Sequence, residues 1–181
     1  MLYNISALEM FLGYLDTGSL PCFSQAINSL AIRSIIIDRG NKMINRIREI
    51  LNENADAEQS KKMFAYMKNR FEFAGIPKPK LKELIKPFIK KTAKEPLNWN
   101  LIFELWECDK REAQYVALEY LQKHRKQLVP KDIDNLKTLI VKKSWWETVD
   151  TIDAFVGDIV MMDKALKRQG ILLRIWYKRI K

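Results

Sequence analysis

The chain has 181 residues, 48% of them apolar, enough for one domain or a short array of repeats with a filled core. Its formal net charge of +10 points toward a polyanionic partner, either nucleic acid or an anionic membrane surface. Two distant cysteines, Cys22 and Cys108, and a single histidine, His124, argue against a Cys/His zinc site and against any histidine base other than His124; the separated thiols fit a reducing cytoplasm.

Residues 1–42 differ from the rest. Of the chain's 32 Lys and Arg they hold Arg33 and Arg39, plus Lys42 at the boundary, and Ser, Gly and Pro interrupt their apolar stretches. Two readings stand: an extra helical pair, or an extension upstream of a natural start at Met43, with the second preferred. The N-terminus carries Glu9 and Asp16 and no basic leader, so it does not read as a secretory signal. A membrane span would need about 18 apolar residues in a row, and no stretch offers them.

From Met43 onward the periodicity is helical. In MINRIREILNEN, Ile44, Ile47, Ile50 and Leu51 share a face. AEQSKKMFAYMKNRFEF spaces Met63, Phe64, Met67 and Phe71 as a helix, with Gly75 expected to end it. KPKLKELIKPFIKKTAK is the next helix, and Pro87 predicts a kink or break in it. LNWNLIFELWEC aligns Trp99, Ile102, Phe103 and Trp106 on one stripe. DKREAQYVALEYLQKHRK is expected to start with Asp109 as its cap and to bury Tyr115, Val116, Leu118 and Leu121. VPKDIDNLKTLIVKKS opens at a proline, and SWWETVDTIDAFVGDIV follows. Helices of roughly 11 to 17 residues with short turns predict an all-α fold of antiparallel helix pairs, stacked as a bundle or a HEAT-like α-solenoid over residues 43–181.

Charge is concentrated in one part of this array. Lys61, Lys62, Lys68, Arg70, Lys78, Lys80, Lys82, Lys86, Lys90, Lys91 and Lys94 face only Glu72 and Glu83, a net +9 between Lys61 and Lys94. Lys78, Lys82 and Lys86 recur every four residues and form a ridge suited to phosphates; the bland alternative is a solvated lysine face. The backbone N–H groups where the Gly75-Ile76-Pro77 turn enters this helix offer a further phosphate seat. Lys68, Lys78, Lys82 and Lys86 are the candidate DNA-binding residues.

In KSWWETVD, Ser144 and Glu147 are spaced as a capping box, which predicts a helix starting at Trp145. Trp146 and Asp150 then lie one turn apart on a common face, an indole and a carboxylate around one small volume. A cationic ring suits both groups, one through the indole quadrupole and the other through full charge. The alternative is core packing by both tryptophans with Asp150 as a surface acid.

Three blocks, YMKNRFEFAGIPKP (66–79), LWECDKREAQYVALEYL (105–121) and LIVKKSWWETVDTIDAFVGDI (139–159), resemble the AlkD-type DNA alkylation repair glycosylases in order and spacing. The resemblance covers about 43–159. It implies HEAT-like repeats curved around double-stranded DNA and excision of positively charged N3- and N7-alkylated purines without full extrusion of the base. It also implies Asp150 as the catalytic carboxylate with Trp146 and Tyr66 as aromatic walls, and places Lys78 and Lys82 at the DNA backbone. Neither a metal nor a small-molecule cofactor is expected; nor is a membrane, and the chain is expected to be a monomer. After Ile159 the family continues through further repeats; here RIWYKRIK is a loose match to the family's NxWxxR segment and puts its arginine role on Arg179. The domain is therefore expected to be incomplete at its C-terminal end, with Ile171, Leu172, Leu173, Ile175 and Trp176 as an apolar surface. The alternative to a glycosylase is a catalytically impaired helical-repeat module that binds DNA or protein.

Overall fold

The structure is a computed structural model and describes residues 40–162. Arg179, the apolar residues 171–176 and most of the 1–42 extension lie outside the described residues. The described part is all helical and belongs to one compact unit.

Helix α1 covers residues 40–53 and so runs across the Met43 boundary drawn from the sequence. Ile44, Ile47, Ile50 and Leu51 are all buried, as their shared face requires. Helix α2 is Ala57–Tyr66. Asp56 caps it by accepting from the Glu58 and Gln59 amides at 3.0 and 2.9 Å, an interaction worth about 1 kcal/mol.

Gly75 does not end α2. The helix stops at Tyr66 in a Schellman turn: the Lys68 amide donates to Ala65 O at 3.0 Å and the Asn69 amide to Phe64 O at 2.9 Å. Lys68 takes the left-handed position that glycine usually fills, with φ 53°, and Asn69 follows with φ 58°. No glycine marked this ending, so the helical spacing of Phe71 extended the expected helix too far.

Gly75 belongs instead to a segment, residues 72–76, clamped on both sides. Against α2, the Asp56 amide donates to Ala74 O at 2.8 Å and the Ser60 hydroxyl to Phe73 O at 2.8 Å. At φ 93°, a Cβ on Gly75 would sit 2.1 Å from Asp56 O, so only glycine fits. On the other side, the Arg111 amide donates to Glu72 O at 2.7 Å, within an isolated parallel bridge between Glu72 and Lys110.

Helix α3, Lys78–Thr92, begins with prolines at 77 and 79 and continues through Pro87 to Thr92 without breaking. The carbonyl that Pro87 deprives of a donor belongs to exposed Glu83, where water can serve it. Helix α4, Trp99–Glu107, is capped by Asn98, which accepts from the Leu101 amide at 3.2 Å.

Helix α5, Arg111–His124, is the central element. Its cap is Lys110 rather than Asp109, because the Glu72 carbonyl takes the Arg111 amide. Tyr115, Val116, Leu118 and Leu121 are buried as expected. His124 is also buried, its two ring nitrogens 2.9 and 3.0 Å from the carbonyls of Tyr120 and Thr92, so it stitches the ends of α5 and α3 together. Two 3-10 turns, Arg125–Gln127 and Pro130–Asp132, lead to α6, Ile133–Val141, and then to α7, Trp146–Met162.

Helix α4 packs on α5 and α6 on α7; α4 also meets α6, while α5 touches both α3 and α7. Short connections make the packed pairs α4–α5 and α6–α7 antiparallel. The result is two layers, α4 and α6 in one, and α3, α5 and α7 in the other. Arg125 ties the second layer to itself, its guanidinium paired with Asp158 of α7.

Candidate nucleic-acid interface

The layer of α3, α5 and α7 carries every described candidate except Tyr66 and Lys68, which sit at the end of α2. On α3, Lys78, Lys82 and Lys86 are exposed at four-residue spacing. On α5, Arg111, Tyr115 and Glu119 repeat with the same spacing, and on α7 so do Trp146 and Asp150.

Contacts join these three rows. Lys78 pairs with Glu147 of α7, and its ammonium lies 4.4 Å from the centre of the Tyr115 ring. The Tyr115 hydroxyl donates to the other Glu147 oxygen at 2.8 Å. Lys82 pairs with Glu119 of α5 at 2.7 Å. Burial, followed by the like charges of Lys82 and Arg111, pushes the Lys78 ammonium below the ordinary lysine range. Burial raises the Tyr115 phenol; Arg111 pulls it back down, while Glu112 and Tyr66 add to the rise, so Tyr115 stays a neutral donor to Glu147.

The capping box expected at the start of α7 does not form, because Glu147 turns to Lys78 and Tyr115. Trp145 is the cap residue, its carbonyl accepting from the Thr148 and Val149 amides at 3.1 and 3.0 Å. The two tryptophans therefore have different fates. Trp145 is partly buried, edge-on to Phe71 at 5.9 Å with the Arg70 guanidinium 5.8 Å from its ring. Trp146 is 57% exposed as the first residue of α7, and Tyr66 is 68% exposed as the last of α2. Asp150 is exposed one turn beyond Trp146.

Two buried charges hold this arrangement in place. Arg111 lies across the Phe71 ring at 4.2 Å and donates to Lys143 O at 2.9 Å and to the Thr148 hydroxyl at 3.0 Å, which fixes the start of α7 on α5. Glu112 points the other way and accepts from the amides of Ala74, Gly75 and Ile76 at 2.9, 2.8 and 3.1 Å. Two of these, Gly75 and Ile76, belong to the turn whose entry into the helix was offered to a phosphate. Glu112 occupies the Gly75 and Ile76 amides of the turn, which leaves the first amides of the helix itself, those of Lys78 and Lys80, outside its reach.

Sequence reasoning passed over Arg111, Glu112, Glu119 and Glu147 as site residues and placed Tyr115 in the core. The four-residue spacing of Arg111, Tyr115 and Glu119 was a usable signal, masked by the apolar run around it. Among the described residues no three of His, Cys, Asp and Glu gather into a metal-binding group, and no helix is long and apolar enough to cross a membrane.

The helical pairs agree with what comparison finds. The family described as DNA alkylation repair enzyme matches residues 47–179, and the chain belongs to that family. A solved structure described as "Predicted DNA alkylation repair enzyme from Enterococcus faecalis" is similar at 31% identity and a TM-score of 0.55, over 60% of this chain and 52% of that one. The chain thus spans about half the length of that structure. No curated protein matches the sequence.

Proposed function

We propose that the protein is a DNA N-glycosylase that removes cationic N3- and N7-alkylated purines from duplex DNA. The observation that carries this proposal is the exposed Trp146 and Asp150 pair at the start of α7, next to the residue that grips Lys78 of the lysine row. Membership of a DNA alkylation repair family supports it.

An alkylated purine cation is already a good leaving group. As its glycosidic bond lengthens, positive charge passes to the sugar. The Asp150 carboxylate stabilises that charge and orients the attacking water, while Trp146 and Tyr66 offer ring faces to the cation. Water adds to the sugar carbon and gives up a proton to solvent, and the neutral purine departs. No electron changes hands, so the reaction calls for no redox cofactor. Lys68, Lys78, Lys82 and Lys86 hold the phosphates, and the protein works as a monomer.

Duplex DNA bearing N7-methylguanine, incubated with the protein, should release the free base, and Asp150→Asn should slow release by about a hundredfold. Equal release by both proteins would reject the assignment. Salt-dependent binding with no release would instead assign a catalytically impaired DNA-binding module, and no binding even at low salt a protein-interaction module.

A further inference from the structure

We infer that Glu147 is a specificity-determining residue, which makes transfer of Lys78 to a DNA phosphate favourable only when a cationic base occupies the site. This rests on the glycosylase proposal and deepens it.

Glu147 does the work of a phosphate in the free protein. Its carboxylate takes the Lys78 ammonium on one oxygen and the Tyr115 hydroxyl on the other. It is mostly covered, its side chain 22% exposed, whereas Lys78 remains 43% exposed and open to a competing anion. The Tyr115 ring lies under the ammonium at 4.4 Å, so Lys78 can exchange one anion for another above the same ring. Lys82 stands in the same relation to Glu119.

Exchange has a cost set by the position of Glu147. When Lys78 turns to a phosphate, the Glu147 carboxylate loses its cation while it is still held by Tyr115. Glu147 directly follows Trp146 and precedes Asp150 by three residues on the same helix. An undamaged duplex brings only phosphates and neutral bases there, so the carboxylate loses its paired cation and keeps nearby the Arg111 guanidinium, which is bound to Lys143 O and Thr148. A purine carrying a positive charge replaces the lost cation. The same acid therefore weakens binding to normal DNA and is compensated by the lesion, so discrimination comes from a repulsive element as well as an attractive one.

Two duplexes test this: one undamaged, and one carrying N7-methylguanine on a 2′-fluoroarabinose sugar, which keeps the cation and resists cleavage. Affinity for each is measured across a salt series with wild type, Glu147→Gln, Lys78→Ala and the double variant. Glu147→Gln should bind the undamaged duplex about two- to fivefold tighter and narrow the preference for the cationic one. Its salt slope should steepen by up to about one unit, because no carboxylate has to regain a counterion. In the Lys78→Ala background the change in salt slope should vanish, while the narrowed preference should persist, because the carboxylate still meets the cationic base. Tyr115→Phe, which loosens Glu147 and keeps the ring, should move in the same direction by less. A wild type that binds DNA while Glu147→Gln leaves slope and preference unchanged overturns the inference alone, as does an equal change of slope with Lys78 absent. A wild type that binds neither duplex overturns the glycosylase proposal with it.

Discussion

Glu112 shows how a single side chain sets a site it does not enter. It is fully buried, and three backbone amides of residues 74–76 converge on its carboxylate. Those bonds fix the turn that launches α3 and thereby place Lys78. Glu112→Gln replaces one acceptor oxygen with a donor that faces N–H groups, and should lower stability by about 2 to 4 kcal/mol. The measurement is urea unfolding followed by circular dichroism; an unchanged midpoint would show that the turn holds without the carboxylate. Its neighbour Arg111 does the complementary work on α7, through Lys143 O and the Thr148 hydroxyl.

At the scale of elements, the end of α2 joins a strained turn to two of the candidate site residues. Lys68 accepts a left-handed backbone, φ 53°, that costs a non-glycine residue about 1 kcal/mol. The same turn carries Tyr66 as the last helical residue. Lys68→Gly should raise the thermal midpoint, gaining about 1 kcal/mol, while lowering affinity for duplex DNA through the lost cation. A variant that gains stability and binds as before would remove Lys68 from the interface. Helix α7 makes a related point: its first turn loses a capping box because Glu147 is drawn to Lys78 and Tyr115.

Across the whole described unit, one layer gathers the chemistry. Rows on α3, α5 and α7 meet through Lys78, Tyr115, Glu147, Lys82 and Glu119. Part of the lysine charge is thus already matched by acids of adjacent helices, and the ridge is less positive than its composition suggests. Replacing Lys78, Lys82 and Lys86 together by alanine should weaken duplex binding and flatten the plot of log affinity against log salt by about one to three units. A loss near one unit would mean that Lys86 supplies most of the counterion release; no loss would place DNA elsewhere.

Helix existence, the buried stripes and the lysine row were legible in the sequence. The stripe of Ile44, Ile47, Ile50 and Leu51 is buried as its spacing demanded, because burial of a helix face is governed by residues three and four apart. The Trp146 and Asp150 pair was equally visible as one turn of one helix. The helix ends were less legible. Lys68 took the place expected of a glycine, and a carbonyl from Glu72 displaced Asp109 as the partner at the start of α5.

The sequence by itself determined a helical array from Met43 onward with its charge gathered on α3 and its indole and carboxylate on α7, since helical periodicity and composition are local properties. Only the tertiary structure decided which of Trp145 and Trp146 is exposed, that Glu112 fills the amides of the turn before α3, and that Glu147 grips Lys78 across 69 positions of sequence. Such pairings depend on how helices stack, and no local pattern encodes which distant helix will supply the opposite charge.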